Sequence, residues 1–216
     1  MSTPLLSLHN LRCERDDRVL FANLNYEIGK GDIVQVQGPN GSGKTTLLRI
    51  LLGLNNDYSG ELRFEGQPLN AKLLEFRQQL LYIGHLPAIS RSLSPVENLR
   101  WFGHLHGADP SNSLEDALRA VGLRGFEDVP GHHLSAGQHR RVALARLYLS
   151  QTSLWVLDEP FTAIDTLGVD KLRAHMANHT ANGGTIILTS HQALDLDQLR
   201  LLDLADFRPQ PTREVA

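Results

Sequence analysis

Nine consecutive residues of the chain have the composition of a phosphate-binding loop (P-loop). Between an apolar stretch at 33–36 and a helix-patterned stretch at 47–52 lie Gly38, Pro39, Asn40, Gly41, Ser42, Gly43, Lys44, Thr45 and Thr46. The glycines let successive backbone N–H groups turn toward an anion, and the N-terminus of the following helix adds the positive end of its dipole. Lys44 is placed to reach the β- and γ-phosphates, and the Thr45 hydroxyl is placed to bind Mg²⁺. The loop therefore predicts a nucleoside triphosphate site.

Two adjacent carboxylates, Asp158 and Glu159, follow the apolar run at 154–157. Carboxylates at the end of a buried strand are unfavourable unless a cation is close to them. In a protein with a P-loop, the first carboxylate of such a pair is expected to hold Mg²⁺, and the second to orient or deprotonate the attacking water. The alternative is an acidic strand exit without a catalytic role.

The signature segment at 134–138 (Leu-Ser-Ala-Gly-Gln) precedes a helical pattern through Val142 and Ala145. Ser135 can cap this helix, and the same glycine-containing helix N-terminus can also form a second anion site. His191 follows the apolar strand at 185–188, at the end of a strand where α/β sheets bind ligands. Its simpler interpretation is a surface or capping histidine.

The remaining pattern indicates the elements that position these residues. Strands are predicted at 5–11 and 18–28, joined by a turn at Asp16-Asp17, and again at 60–66 and 80–83. Residues 94–133 are helical: a capping box begins at Ser94 with proline next to it, and a second helix runs from Ser113 to Gly122. Within this lobe Trp101 and Phe102 are interpreted as core rather than as a partner-binding patch.

Composition narrows the functional classes. The chain has 216 residues, 41% of them hydrophobic, and a net charge of −3, so no basic field indicates a nucleic-acid partner. Its single cysteine, Cys13, excludes a disulfide framework. No N-terminal stretch resembles a signal peptide, and no apolar run reaches the roughly 18 residues of a membrane span. We therefore expect no direct insertion into a membrane, and any action there to depend on a partner.

These segments, in their order along the chain, resemble the nucleotide-binding subunits of ATP-binding-cassette (ABC) transporters. The resemblance covers nearly the whole chain, and the signature segment separates this family from other P-loop proteins. It implies an α/β fold class: a single P-loop NTPase ABC ATPase domain over 1–216. An antiparallel β subdomain, an inserted helical subdomain at about 94–150 and a loose tail at about 205–216 would belong to it.

The resemblance also implies partners and ligands. Two copies of the chain would hold two ATP molecules, with Mg²⁺, between them in a head-to-tail dimer. Ser135, Gly137 and Gln138 of one copy would then meet the ATP whose γ-phosphate is held by the catalytic Lys44 of the other. The helical subdomain would dock against integral-membrane transporter subunits.

Roles for the remaining site residues follow from the same resemblance. Glu159 is implied as the catalytic carboxylate and His191 as the switch residue that contacts the γ-phosphate. Asp158 and Thr45 are implied as Mg²⁺ ligands, and Asp165 as the link between the two sites.

Three positions depart from the family pattern. Arg15 stands where an aromatic residue usually stacks on adenine, so a guanidinium face is expected there instead. His85 occupies the place of the loop glutamine that touches Mg²⁺ and transmits to the membrane domain, which puts that contact in doubt. His139 follows the signature glutamine, where a basic residue is usual.

Further segments resemble one subfamily, the ATPase subunits of the bacterial cytochrome c maturation system, also called haem exporters. They are 13–16 (Cys-Glu-Arg-Asp), 82–85 (Tyr-Ile-Gly-His), the signature segment and 161–165 (Phe-Thr-Ala-Ile-Asp). This resemblance implies a peripheral protein on the cytoplasmic face of the inner membrane. Its ATP hydrolysis would be tied to haem delivery and to release of a haem-loaded periplasmic chaperone.

Other functions stay open at this point. The same ATPase could drive another substrate, such as a drug, lipid or ion. A soluble ABC protein acting on DNA or ribosomes is disfavoured because the chain lacks a long heptad run and a second cassette. A nucleotide-binding module without hydrolysis is disfavoured because both Asp158 and Glu159 are present. His132 and His133 are not expected to bind haem, since ligation requires an apolar pocket around the histidine.

Overall fold

The computed structural model describes residues 3–106, 113–191, 194, 196 and 198–208. Within these residues the strands are β1 (Leu6–Arg15), β2 (Arg18–Ile28), β3 (Ile33–Gln37), β4 (Ser59–Phe64), β5 (Gln67–Pro68), β6 (Leu80–Ile83), β7 (Leu154–Asp158), β8 (Thr185–Thr189) and β9 (Leu199–Asp203). The α-helices are α1 (Lys44–Leu51), α2 (Leu73–Gln78), α3 (Pro95–His106), α4 (Leu114–Ala120), α5 (Ala136–Ala145) and α6 (Thr166–Ala181). Short 3₁₀ helices span Leu69–Lys72, Gly131–His133, Arg146–Tyr148 and Leu204–Phe207.

The antiparallel sheet, ordered β2-β1-β4-β5, contains the hairpin that the sequence predicts. In this hairpin β1 pairs with β2, from Leu6 opposite Ile28 to Arg15 opposite Arg18. Asp16 and Asp17 form the turn with φ angles of 52° and 59°, a region that Asp adopts more readily than most residues. The hairpin prediction is confirmed, although β1 continues to Arg15 instead of ending at residue 11.

The parallel sheet, ordered β6-β7-β8-β3-β9, aligns the strands that precede the candidate residues. Val36 on β3 and Asp158 on β7 both lie opposite Thr189, the last residue of β8. Nearly every residue of these three strands is buried, as expected for parallel strands covered on both faces. Because the carboxyl ends of the strands share one edge, the segments that follow them converge there.

Helices cover the two faces of the parallel sheet. Leu47, Leu48, Ile50 and Leu51 of α1 are buried in a core that includes residues of both sheets. Burial of so many positions in one short helix is typical of a helix enclosed on several sides. On the opposite face, α6 packs its buried apolar residues into a second core that contains Trp155 of β7. The alternation of β7 side chains between these cores fixes the direction in which its last residue points.

A third core joins α3, α4 and α5, with Leu99, Leu118 and Val142 fully buried. The capping box predicted at Ser94 is present, because the Ser94 backbone N–H donates to Glu97 and the Glu97 N–H donates to the Ser94 hydroxyl. The helix predicted from Ser113 is confirmed, with Ser113 as its N-cap.

Trp101 and Phe102 differ from each other. Phe102 is 5% exposed and buried, although it belongs to the second core, with Trp155, and not to the core of the lobe; Trp101 is 63% exposed. The core interpretation was therefore wrong for Trp101. Successive helical residues are rotated by about 100°, so a helix that is covered on one side can bury one of the two rings and expose the other.

The last residue that the structure describes is residue 208. The predicted loose tail overlaps the 3₁₀ helix Leu204–Phe207, and Leu204 itself is buried; residues 209–216 of that prediction lie outside the described residues. No helix among the described residues is both long and apolar enough to cross a membrane.

Candidate functional site

The P-loop follows β3, and its last three residues, 44–46, form the start of α1. Gly43 is the N-cap of α1 at φ 99°, and it offers no side chain to cap the helix. Gly38, at φ 137°, has no room for a Cβ, which would lie 2.6 Å from the Ser42 hydroxyl oxygen. Because no side chain caps it, the N-terminus of α1 is open to an anion.

Lys44 folds its side chain over this loop. Its Nζ donates to the carbonyl oxygen of Gly38 at 2.7 Å and to that of Pro39 at 3.3 Å. A lysine ammonium has three donors and no acceptor, and carbonyl oxygens are weaker partners for it than phosphate oxygens. The ammonium therefore lies beside the open helix N-terminus, where a phosphate group would contact both.

Asp158 is placed against the P-loop and β8. Asp158 is only 2% exposed. Its two carboxylate oxygens accept hydrogen bonds from the Thr189 hydroxyl (2.7 Å) and the Thr45 hydroxyl (3.3 Å). Among the described residues, no side-chain cation lies within 4 Å of this carboxylate. The predicted Mg²⁺ ligands Thr45 and Asp158 thus meet in one place.

Glu159 turns out of the strand in a left-handed conformation, with φ 53°. Its backbone N–H donates to the Thr189 hydroxyl at 3.0 Å, so this hydroxyl bridges the two carboxylate residues. His191 Nε2 lies 3.4 Å from Glu159 Oε1, and the side chain of His191 is far more exposed than that of Glu159, 61% against 18%. The histidine is therefore on the solvent side of the carboxylate.

These residues surround an open cavity of about 630 Å³, the P-loop cavity. This volume is within the range of small-molecule sites. It is lined by Arg15, Asp16, Arg18, Leu20, Asn40, Gly41, Gly43, Lys44, Thr45, Thr46, His85, Asp158, Glu159 and His191. The structure thus brings together the predicted P-loop residues, both carboxylates, the histidine and two of the departures from the family pattern. Gly38, Pro39 and Ser42 belong to the loop without lining the cavity.

The signature residues do not line this cavity. Ser135 and Gln138 form a capping box at the start of α5: the Gln138 N–H donates to the Ser135 hydroxyl oxygen, and the Ser135 N–H donates to Gln138 Oε1. Ser135 is exposed, whereas Gly137 and Gln138 are half-buried. Asp165, implied as a link between sites, caps α6 by accepting from the Gly168 N–H. The helix N-terminus predicted as a second anion site is thus separate from the first.

The three departures have different surroundings. Arg15 lines the cavity and pairs with Asp16 at 3.4 Å, both side chains being largely exposed. His85 also lines the cavity and is exposed. His139 is buried, and its Nε2 lies 2.7 Å from the carbonyl oxygen of Gly131, which gives it a structural contact beside the signature segment.

Sequence reasoning missed Thr189 and Arg140. No role is assigned to Thr189 from the sequence, although a polar residue at the end of a buried strand beside a P-loop is itself a signal. Arg140 is 5% exposed, and burial lowers the pKa of its guanidinium against the opposing effect of Asp158, Tyr82 and Glu159. It donates to the backbone carbonyls of Gly84, Asp158 and Glu159. Because Arg141 is the next residue and has the same side chain, the sequence alone does not show which of the two arginines is buried.

Comparison with known proteins gives a consistent result. The family model of the ABC transporter matches residues 21–162. A cytochrome c biogenesis ATP-binding export protein CcmA from Pseudomonas fluorescens is 52% identical over 194 residues, covering 90% of this chain and 92% of that protein. A protein with the same name from Escherichia coli K12 is 50% identical over 206 residues, covering 94% of this chain and 98% of that protein.

Solved structures show the same fold. An ABC transporter ATP-binding protein from Pyrococcus furiosus has a TM-score of 0.80 and 26% identity, covering 94% of this chain and 99% of that one. A dimeric ATP-binding cassette in a post-hydrolysis state, bound to ADP and Pi, has a TM-score of 0.75 with 87% and 88% coverage. At 23% identity, this second likeness shows the fold alone. The fold class predicted from the sequence is confirmed.

Proposed function

This chain belongs to the ABC transporter family, and from that premise we propose that it is the ATP-hydrolysing subunit of a membrane complex for cytochrome c biogenesis. Its hydrolysis is coupled to haem export or delivery and to release of a haem-loaded chaperone. The observation that carries the ATPase function is the convergence of Lys44, Thr45, Asp158 and Glu159 on one cavity. The cytochrome c assignment is supported by the shared name of relatives about half identical to this chain.

The proposed reaction is attack of water on the γ-phosphorus of ATP. The bond from that phosphorus to the bridging oxygen breaks, and ADP and inorganic phosphate are formed. Lys44 exchanges its contacts with the Gly38 and Pro39 carbonyls for oxygens of the β- and γ-phosphates. Glu159 orients the water and takes its proton, and His191, beside that carboxylate, reaches toward the γ-phosphate.

The residues present fit Mg²⁺. Asp158 supplies a buried carboxylate with no side-chain cation within 4 Å in the described part of the chain, and Thr45 adds a hydroxyl within hydrogen-bond distance of it. Hard oxygen donors of this kind are those that Mg²⁺ prefers. The ion, when bound with ATP, neutralises charge on the phosphate oxygens. Thr189 holds one oxygen of Asp158, so the other remains turned toward Thr45.

A second copy of the chain is proposed to complete the site. The signature segment is exposed at Ser135 and lies outside its own P-loop cavity, while α5 presents a helix N-terminus. In a head-to-tail pair, this N-terminus of one copy would contact the γ-phosphate bound by the other. The two halves of each ATP site would then come from different copies.

The membrane partners are proposed to be integral-membrane subunits of the cytochrome c maturation complex, with this chain on the cytoplasmic face of the inner membrane. The docking surface would be the helical lobe. Trp101 and Leu105 on α3 are large apolar side chains, exposed by 63% and 61%, that a partner would cover.

The test is a haem-staining gel of the c-type cytochromes from cells that lack this gene. We expect every covalent haem band to disappear, to return with the wild-type chain and to stay absent with Glu159→Gln. The matched control is Glu27→Gln, an exposed glutamate on β2 that lies outside both the helical lobe and the lining of the P-loop cavity, which should restore all bands.

The alternative, an ABC ATPase for another substrate, predicts normal haem bands in the deletion strain. Normal bands would remove haem and cytochrome c from the proposal and leave the ATPase in place. Absence of ATP hydrolysis by the wild-type complex would instead remove the ATPase.

A further inference from the structure

Arg140 connects three segments of the molecule that are far apart in the sequence. It lies on α5, five residues after Ser135. Its Nη1 donates to the carbonyl oxygen of Gly84, the residue before His85. Its Nη2 donates to the carbonyl oxygens of Asp158 (2.7 Å) and Glu159 (2.9 Å). One side chain thus joins the signature helix, the loop after β6 and the end of β7.

Only a guanidinium can make this set of contacts. Its planar fork offers donors from two nitrogen atoms in fixed directions, whereas a lysine ammonium is a single compact centre on a flexible stem. The acceptors are backbone oxygens, so the contacts depend on where the chain lies rather than on which side chains it carries. A buried cation is unfavourable unless it is hydrogen-bonded, and the three carbonyls pair with both terminal nitrogens of Arg140, while its buried Nε makes no hydrogen bond within the described residues.

Arg140 holds a segment whose backbone conformation is unfavourable. Glu159 has φ 53°, a conformation that is unfavourable for a non-glycine residue and persists only where surrounding contacts impose it. The Glu159 N–H is fixed by Thr189, and the Glu159 carbonyl by Arg140. Both ends of this residue are therefore anchored, which sets the direction of its carboxylate in the P-loop cavity.

We infer that Arg140 is a positioning residue that ties the orientation of the Glu159 carboxylate to the position of α5 and of the Gly84–His85 loop. The inference rests on the proposed function, in which Glu159 orients the attacking water. A helix is stiff over the roughly 7.5 Å between residues five apart, so a displacement of the signature segment moves Arg140 with it. The loop that leads into the helical lobe reaches the same guanidinium through Gly84. The rate of ATP hydrolysis therefore depends on the position of the signature segment and on the position of the loop that leads into the helical lobe.

The experiment compares Arg140→Met and Arg140→Lys with Arg146→Met in the full membrane complex. Arg146 is a matched control, because it follows α5 directly, burial lowers its pKa, and it donates to the Ala88 carbonyl without touching the end of β7. ATP hydrolysis is measured over a range of ATP concentrations, with thermal unfolding and binding of a fluorescent ATP analogue alongside.

We expect both Arg140 variants to lower kcat about 10²-fold, the size of effect that a misplacement of about 1 Å produces. KM for ATP and analogue binding should change less than about threefold, because Lys44 and the P-loop are untouched. Arg146→Met should lose a similar amount of thermal stability while keeping kcat within about threefold of wild type. If Arg140 had a purely structural role, its variants and Arg146→Met would lose kcat in the same proportion to their loss of thermal stability.

Two results would overturn the inference: a kcat for Arg140→Met within about threefold of wild type, or equal losses of kcat in Arg140→Met and Arg146→Met. If Arg140→Met does not fold, Arg140→Lys decides, since it keeps the charge and most of the volume. A wild-type complex that does not hydrolyse ATP would refute the proposed function itself, which distinguishes the two failures.

Discussion

The hydroxyl of Thr189 is the strongest candidate for a single atom whose removal disturbs both carboxylates at once. Thr189 is fully buried, and its hydroxyl donates to Asp158 at 2.7 Å while accepting from the Glu159 N–H at 3.0 Å. Thr189→Val keeps the branched shape and removes both bonds. The charged carboxylate of Asp158 then loses the hydroxyl that donates to it, and the Glu159 N–H loses its acceptor.

The magnitude follows from these two losses. A hydrogen bond to a charged group contributes about 1.5–3 kcal/mol, and an unpaired, partly buried N–H costs about 1–3 kcal/mol. The added methyl of valine offsets about 1 kcal/mol of this through apolar burial. We therefore expect Thr189→Val to lower the free energy of unfolding by about 1.5–5 kcal/mol, or the Tm by roughly 3–20 °C for a chain of this size.

The assay is urea unfolding of the purified full chain near pH 7 without nucleotide, followed by circular dichroism. Thr189→Ser is the control, because it retains the hydroxyl and should lose only about 1 kcal/mol for the missing methyl. If Thr189→Val unfolds within about 0.5 kcal/mol of Thr189→Ser, the hydroxyl bridge contributes no stability and the reasoning is refuted.

Three further predictions concern other parts of the chain. Lys44→Ala should abolish ATP hydrolysis by the purified complex, since the contact with the β- and γ-phosphates is lost; turnover above a tenth of the wild-type rate would contradict it. Glu159→Gln should still bind ATP and elute as a dimer in gel filtration with ATP and Mg²⁺, and a monomeric profile would count against the proposed pairing. His179 has a pKa lowered from 6.5 to about 4, mainly by burial and then by His175, so the unfolded state takes up the proton first and stability falls as pH decreases from 6.5 to about 4. His179→Phe, which keeps a ring stacked on Trp155, should remove roughly 2 kcal/mol of that fall in urea titrations at pH 6.5 and pH 4.5, and an unchanged fall would exclude His179 as its source.

Much of the fold and the P-loop cavity could be predicted because the signals are local. The P-loop, the apolar strands at 80–83 and 154–157, the capping box at Ser94 and the helix cap at Ser135 each depend on neighbouring residues, and the structure forms all of them. Parallel strands then require the carboxyl ends to meet, so the convergence of Lys44 with Asp158 needed only the order of the elements.

The contacts that could not be predicted are long-range ones between side chains and backbone. Arg140 and Arg141 are adjacent and chemically identical, yet Arg140 is buried on the carbonyls of Asp158 and Glu159, while Arg141 donates to the carbonyl of Gly122 at 3.4 Å. The difference depends on the rotation of α5 against β7. Trp101 was misinterpreted for a similar reason, since the exposed face of α3 depends on where α4 and α5 pack.

Capping the helix and binding an anion would be compatible roles for the signature segment. From the sequence, Ser135 as a cap was an alternative to Ser135 as part of an anion site. In the capping box, the Ser135 hydroxyl oxygen accepts from the Gln138 N–H, and Gln138 Oε1 accepts from the Ser135 N–H. A hydroxyl also has one donor, and an amide has two, which these bonds leave unused. The cap therefore orients two donor groups, the Ser135 hydroxyl and the Gln138 amide, at the start of α5, and a γ-phosphate brought by a second copy would accept from them without breaking the helix end.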